Sequence, residues 1–177
     1  VSMLQRWGKT DPEILEEAIT AIAQESTGMK ELVERLLFLA RHDKKTLMME
    51  MEDFNPLEVM SEIHREAKML SDKHEFMLEV DEGCLIHGDK GMIKQLMRIL
   101  LDNAIKYSAP GGRITVKIWQ GEYKAFIEII DQGRGIPPED LENVKTKFYK
   151  GSNSVRGSGI GLALVDSIMT ALDGTMD

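Results

Sequence analysis

Residues 102–107 read Asp-Asn-Ala-Ile-Lys-Tyr and end a predicted helix that begins after Asp89. They place an oxygen ligand, a cation and an aromatic ring within about one helical turn. Because Mg²⁺ takes oxygen ligands together with substrate phosphates, Asn103 is a candidate metal ligand. Lys106 and Tyr107 are candidate contacts to a phosphate and to a nucleoside. Taken alone, the stretch is more typical of an ordinary polar helix end.

Two glycine-rich segments follow at a distance. Residues 131–137, Asp-Gln-Gly-Arg-Gly-Ile-Pro, end a predicted strand, and residues 157–162, Gly-Ser-Gly-Ile-Gly-Leu, lead into a predicted helix. Glycines allow a ligand to approach the backbone closely, and Asp131 can accept a hydrogen bond from an exocyclic amine such as adenine N6. The free N–H groups at a helix start form a ready anion site. Each segment alone is a weak signal.

Two better-known phosphate-binding motifs are excluded. Residues 157–162 are not a dinucleotide fingerprint, because Leu162 stands where the third glycine would fall and no parallel βαβ unit is expected around them. Residues 8–10, Gly-Lys-Thr, imitate the end of a P-loop, but Met3 occupies the position of its first glycine and no strand precedes it.

The N-terminal part of the chain predicts one long helix. Asp11, Pro12 and Glu13 form a strong helix start. Apolar residues then recur at alternating spacings of four and three, which is typical of a heptad seam in a dimeric helical bundle, although any core-facing amphipathic helix is an equally good reading. The seam consists of Leu15, Ile19, Ile22, Ser26, Met29, Val33, Leu36 and Ala40.

The rest of the chain mixes strands and helices, which predicts an α+β two-layer sandwich preceded by the long helix. We expect strands over residues 46–52, 75–80, 84–87, 113–120 and 123–131, the last two forming a hairpin. We expect helices over residues 56–72, 89–107 and 159–172, and loops over residues 132–158.

Composition limits the functions available to the chain. Its 177 residues carry 30 acidic and 22 basic side chains, a net charge of −8, and one cysteine, Cys84. The acidic balance argues against a nucleic-acid partner, and a single cysteine excludes a disulfide framework. No stretch approaches the roughly 20 apolar residues of a membrane span, so we expect a cytoplasmic piece whose parent protein could still be anchored in a bacterial membrane.

The order of the motifs is more specific than any one of them. Asn103 with Lys106 and Tyr107, then residues 131–135, then Phe-Tyr-Lys at 148–150, then residues 157–161 resemble the N, G1, F and G2 boxes of sensor histidine kinases. These kinases belong to the wider group of Bergerat-fold (GHKL) ATPases. The resemblance implies a partial dimerisation and phosphotransfer hairpin over residues 1–45 and a catalytic ATP-binding domain over residues 46–177.

The resemblance also implies roles for individual residues. Asn103 would ligate Mg²⁺, Lys106 and Lys150 would contact phosphate and serve catalysis, and Tyr107 would pack at the ribose or adenine edge. Asp131 would read the adenine amine. The other implied ATP contacts are Gly133, Gly135, Arg156, Gly157, Gly159, Gly161 and Leu162. Residues 141–157 would form a lid whose further cations are Lys145 and Lys147.

Four departures from the family pattern stand out. No histidine here has the acidic residue and proline that follow a phosphoacceptor, which we therefore expect upstream of residue 1. The family usually continues beyond a glycine like Gly174 with a further strand pair. Ile99 occupies the position where gyrase-type and Hsp90-type ATPases carry a water-activating glutamate, and an isoleucine cannot take a proton. Lys145 replaces a frequent aromatic residue of the F box.

The leading functional hypothesis is therefore an ATP-binding histidine kinase of a two-component system, with ATP and Mg²⁺ as cofactors. It would phosphorylate a histidine outside this chain for relay to an aspartate of a response regulator receiver domain, and it would dimerise through the N-terminal helix. A regulatory module that binds nucleotide weakly or not at all and a free-standing hydrolytic ATPase are the alternatives.

Overall fold

The computed structural model describes residues 12–43, 48–152 and 157–177, which fall into two compact units, Val1–Lys45 and Thr46–Asp177. The predictions for residues 1–11, including Asp11 and the Gly-Lys-Thr stretch, lie outside the described residues, and so does Arg156. None of the helices in the described ranges combines the length and the apolar character that a membrane crossing requires.

The first unit contains helix α1, Pro12–Asp43. Proline at the first helical position is pre-organised for a helix start, and Glu13 suits the positive end of the helix dipole. The predicted seam residues Leu15, Ile19, Ile22, Met29, Val33 and Leu36 are all exposed. The long helix is confirmed, and it carries an apolar stripe that faces solvent along most of its length.

The second unit begins with strand β1, Met51–Phe54, and helix α2, Pro56–Leu70. The Asn55 side chain caps α2 by accepting a hydrogen bond of 2.8 Å from the Leu57 N–H. β1 pairs antiparallel with β3, Ile86–Asp89, in a separate two-stranded sheet. Both strands begin later than the predicted strands over residues 46–52 and 84–87. β3 continues to Asp89, whose carboxylate also caps the following helix by accepting from the Met92 N–H.

The main sheet has three strands in the order β2-β4-β5. They are β2, Glu75–Val80; β4, Arg113–Gln120; and β5, Ala125–Ile130. β2 and β4 run parallel, with Glu75 opposite Arg113, whereas β4 and β5 form the expected antiparallel hairpin. The hairpin loop comprises residues 121–124, two more than the predicted strands leave between them. It is closed by a hydrogen bond of 2.8 Å from the Gly121 N–H to the Lys124 carbonyl oxygen.

Helices α3, Lys90–Tyr107, and α5, Gly161–Ala171, complete this unit together with a four-residue helix α4, Pro138–Leu141. α4 lies inside the segment predicted as loop. Apolar side chains of the sheet and the long helices form the core, in which Met97, Ile114, Ile118, Leu164 and Ile168 are at most 2% exposed. The α+β sandwich is therefore confirmed.

Helices α2 and α3 are also joined by a ladder of ion pairs at the surface. Residues four apart lie on the same face of a helix. Each of three successive turns therefore contributes one charged side chain to this surface. The pairs are Lys90 with Glu58, Lys94 with Glu62, and Arg98 with Glu66. Arg98 binds Glu66 through two hydrogen bonds of 2.6 and 2.8 Å, and these lower the pKa of Glu66. This bidentate pair aligns α3, whose last turn carries Asn103.

We predict that the Arg98–Glu66 pair has a coupling free energy of about 0.5–1 kcal/mol toward unfolding, since both side chains remain partly exposed. A double-mutant cycle of Arg98→Ala and Glu66→Ala in urea unfolding measures it. The control pair is Arg113–Glu75, a more exposed contact with one 3.0 Å hydrogen bond, for which we expect a smaller coupling. A coupling free energy at Arg98–Glu66 no larger than that of the control pair would contradict a stabilising role for this bidentate pair between α2 and α3.

Candidate functional site

The last turn of α3 lies directly against the first residue of α5. A Cβ atom placed on Gly161 would lie 3.6 Å from Asn103 Nδ2, 3.9 Å from Asn103 Oδ1 and 3.2 Å from Ile99 Cγ2. Ile160, at the helix cap position, makes no side-chain capping hydrogen bond. The free N–H groups at the start of α5 therefore lie beside the amide of Asn103.

The end of the same helix also contacts the segment that follows β5. Ser108 and Gly133 form an isolated antiparallel bridge, and the Gly133 N–H donates to Asp131 Oδ1 at 2.7 Å. A Cβ atom on Gly133 would lie only 2.6 Å from that oxygen and 2.9 Å from the Tyr107 carbonyl oxygen. Residue 133 must be glycine because the backbone of α3 approaches it so closely. The bridge between Ser108 and Gly133 holds the Asp131 carboxylate near the end of α3.

The cation and the aromatic ring of this turn interact with each other. Lys106 Nζ lies 5.0 Å from the centroid of the Tyr107 ring, within the range of a cation–π contact. Both side chains are half-buried. The end of α3 thus presents an ammonium group and an aromatic ring in contact, and Asn103 lies one turn earlier beside Gly161.

A third contact connects residues 148–150 to the second glycine-rich segment. The Phe148 N–H donates to the Gly159 carbonyl at 2.8 Å. Both residues have positive φ, +68° at Phe148 and +71° at Gly159. This backbone region is energetically costly for residues other than glycine. A Cβ atom on Gly159 would lie 2.6 Å from the Tyr149 carbonyl oxygen, so this position also excludes a larger residue.

Asp140, in the short helix α4, belongs to none of the motifs recognised in the sequence. It is 5% exposed, and its carboxylate accepts hydrogen bonds from the Tyr149 hydroxyl at 2.5 Å and from the Ser152 N–H and hydroxyl at 3.0 and 3.1 Å. These donors, Tyr149 first, lower the pKa of Asp140. The pKa of Tyr149 is raised by the same bond. We call these three residues the Asp140 clasp.

The remaining predicted residues occupy varied positions. Gly135 has φ of +68° and open space where a Cβ atom would lie, Gly157 and Lys150 are exposed, and Leu162 is half-buried. Lys145, expected among the lid cations, instead donates a 2.5 Å hydrogen bond to the Met176 carbonyl oxygen. The described contacts therefore bring Gly161 to Asn103, and Asp131 and Gly133 to Tyr107, on the same end of α3. Gly159 contacts residues 148 and 149 instead, and Lys150 is exposed to solvent.

Comparison with known proteins identifies the class to which this arrangement belongs. The family of histidine kinase-, DNA gyrase B- and HSP90-like ATPases matches residues 88–177, which include all of these contacts. The sensor kinase ArlS of Staphylococcus haemolyticus is 31% identical over 179 residues, covering 98% of this chain and 40% of that protein. The chain thus spans about two fifths of that curated relative.

Solved structures agree with this assignment. The mycobacterial sensor histidine kinase MprB is 31% identical, with a TM-score of 0.64 over 70% of this chain and 81% of its own. Histidine kinase ThkA, solved in complex with the response regulator protein TrrA, has a TM-score of 0.73 at 23% identity, over 98% of this chain and 50% of its own, and shows the shared fold. The chain belongs to the GHKL ATPase family, among its sensor histidine kinases.

The Asp140 clasp predicts a dependence of stability on acid pH. Because the folded-state pKa of Asp140 is lowered below its ordinary value of 3.8, the ionised carboxylate stabilises the fold above that pH. The contribution is lost as pH falls through the lowered folded-state value. We therefore expect the difference in unfolding free energy between the wild type and Asp140→Asn to be constant from about pH 7 to 5 and to shrink below about pH 4. Urea unfolding across this range measures it, and a difference that stays constant down to pH 3 would refute the pKa assignment.

Proposed function

We propose that the second unit binds Mg-ATP at the end of α3 and, within a two-component sensor histidine kinase, presents the γ-phosphoryl group to a histidine outside residues 1–177. The observation that carries the proposal is the pair of glycine contacts on one helical turn. Gly133 brings Asp131 to Tyr107, and Gly161 brings the start of α5 to Asn103. The carboxylate proposed to read the base and the helix start proposed to bind phosphate thus both lie against the end of α3.

Asp131 is the group that recognises the base. Its side chain is exposed, and one oxygen is oriented by the Gly133 N–H, so the other oxygen can accept from the exocyclic amine of adenine. Guanine presents a carbonyl oxygen at the corresponding ring position and would face the carboxylate with a second acceptor. The site should therefore prefer ATP to GTP.

The phosphates are expected at the start of α5. The uncapped N–H groups of that helix suit an anion, and Gly159 and Gly161 allow the chain to approach it closely. Lys106 would add a positive charge from α3, and Lys150, with Arg156 by resemblance, would add charge from the lid. Cations at these positions counter the negative charge that builds up during phosphoryl transfer.

The residues present fit a magnesium ion that is held mainly by the nucleotide. Within the described ranges no three His, Cys, Asp or Glu side chains are grouped so that they could hold a metal. The Asn103 Oδ1 atom is a hard oxygen donor beside the start of α5, 3.9 Å from the position of a Cβ atom on Gly161. Asn103 would therefore supply one ligand, and the ion, when bound, would neutralise phosphate charge.

Ile99 favours phosphoryl transfer over hydrolysis. This side chain is 3% exposed and lies one helical turn before Asn103, where its Cγ2 atom approaches Gly161. A buried aliphatic group there cannot remove a proton from water. The nucleotide would therefore persist until an acceptor histidine reaches it.

The partners are proposed from α1 and from the relatives. The exposed apolar stripe of α1 is the kind of surface that a second copy buries in a helical bundle, so we propose a homodimer through this helix. ThkA was solved with a response regulator protein, and we propose a receiver-domain partner for this kinase as well. Use of ATP as phosphate donor implies a cytoplasmic location.

We predict that Asp131→Asn weakens binding of Mg²⁺ with a non-hydrolysable ATP analogue by about 10- to 100-fold, because it removes a charge-assisted hydrogen bond. Isothermal titration calorimetry measures the dissociation constant. The same substitution should reduce the preference for the ATP analogue over the corresponding GTP analogue.

Asp72→Asn is the matched control, because it makes the same chemical change at an exposed aspartate in the turn after α2. We expect its affinity to equal that of the wild type. No binding by the wild-type chain, or equal binding by Asp131→Asn, would rule out the proposed base contact.

A further inference from the structure

The residues around Lys150 are held far more tightly than Lys150 itself. In the sequence Tyr149-Lys150-Gly151-Ser152, the two outer residues both donate hydrogen bonds to the buried Asp140 carboxylate. Lys150 is exposed between them. The clasp therefore fixes the backbone on both sides of Lys150. The Lys150 side chain makes no hydrogen bond to the residues of the clasp.

Gly151 shows how closely this backbone is drawn against α4. A Cβ atom there would lie 2.6 Å from Asp140 Oδ2 and 3.1 Å from Asp140 Cγ. A side chain at position 151 would force either the loop or the Asp140 carboxylate to move. Glycine at this position allows the hydrogen-bonded carboxylate and the loop to stay in close contact.

A second attachment fixes the same loop to the other side. The Phe148 N–H donates to the Gly159 carbonyl oxygen at 2.8 Å, which connects the loop to the segment before α5. Within the loop, the Tyr149 N–H closes a turn by donating to the Thr146 carbonyl oxygen at 3.2 Å. Phe148 keeps its positive φ although it is 63% exposed, so side-chain packing is not what holds the conformation. A strained backbone persists where surrounding contacts maintain it. Lys150 is thereby attached both to α4 and to the glycine-rich segment before α5.

We propose that Asp140 is a positioning residue: through Tyr149 and Ser152 it holds the backbone of Lys150 beside the start of α5, so that the ammonium group reaches the nucleotide phosphates. The inference rests on the proposed ATP site. Asp140 itself would not contact the phosphates. Its buried carboxylate already accepts three hydrogen bonds, and its negative charge would repel an anion. Its effect on nucleotide binding must therefore pass through Lys150.

This route distinguishes positioning from a general contribution to folding. If the clasp acts through Lys150, loosening it costs affinity only while Lys150 is present. If the clasp merely stabilises the unit, the loss of affinity is the same with and without that lysine. The non-additivity of two substitutions therefore tests the proposal.

The experiment compares the wild type, Tyr149→Phe, Lys150→Ala and the double variant by calorimetric titration with Mg²⁺ and a non-hydrolysable ATP analogue. Tyr149→Phe removes only the hydroxyl donor and keeps the ring. We expect about a threefold loss of affinity for Tyr149→Phe and about a tenfold loss for Lys150→Ala. The double variant should bind the analogue as tightly as Lys150→Ala alone.

Two further variants keep the test independent of folding. Ser152→Ala removes one donor to Asp140 and should cause a smaller loss that also disappears in the Lys150→Ala background. Lys117→Ala removes a lysine of β4 that pairs with Glu79 at 3.3 Å, so it should leave affinity unchanged and leave the full effect of Tyr149→Phe in place.

Each failure has its own reading. Losses that add in the Tyr149→Phe/Lys150→Ala variant would overturn the positioning role while leaving the ATP site intact, and so would a silent Tyr149→Phe or a silent Lys150→Ala. Absence of nucleotide binding by the wild type would overturn the proposed function, and the positioning role with it.

Discussion

The close approach of two glycines to the last turn of α3 is the constraint on which the site depends. Gly133 and Gly161 come from segments about 30 residues apart and meet the helix at Tyr107 and at Asn103 with Ile99. A methyl group on Gly133 would collide with the carboxylate of Asp131 and with the helix backbone, and one on Gly161 would crowd Ile99. Since packed interiors tolerate little added volume, these contacts fix where the strand end and the helix start lie relative to Asn103.

Charge in this molecule is arranged locally rather than globally. A chain with a net charge of −8 can still bind a triphosphate, because the N–H groups of α5 and a few cations act at short range. The surface ladder between α2 and α3 uses other lysines and arginines for structure, and Lys145 is bound to a backbone carbonyl. Only some of the basic side chains are therefore placed to contact nucleotide.

Much of the fold could be predicted because local signals agreed with tertiary structure. The predicted helix starts at residue 56 and after Asp89 agree with α2 and α3, and the predicted strands over residues 113–120 and 123–131 agree with the β4–β5 hairpin. The parallel pairing of β2 with β4 was missed, because strand partners far apart in sequence leave no mark on the periodicity of either strand. Helix α4 was missed because four residues are too few to show a helical pattern.

The site shows the same division. Motif order predicted Asn103, Asp131 and the glycines, and close neighbours in the structure explain the need for glycine at positions 133, 159 and 161. Asp140 had no such signal: its importance comes from the partners Tyr149 and Ser152, which only the folded loop brings to it. A residue whose role is to hold another residue is defined by contacts, and contacts between loops cannot be read from spacing.

The most direct test of the central claim is a crystal structure of this chain with Mg²⁺ and a non-hydrolysable ATP analogue. We expect the adenine amine within about 3 Å of the Asp131 carboxylate, the phosphates at the start of α5, and the metal ion bound to Asn103 Oδ1. A nucleotide bound elsewhere, or one whose base lies away from Asp131 or whose phosphates lie away from the start of α5, would contradict the account.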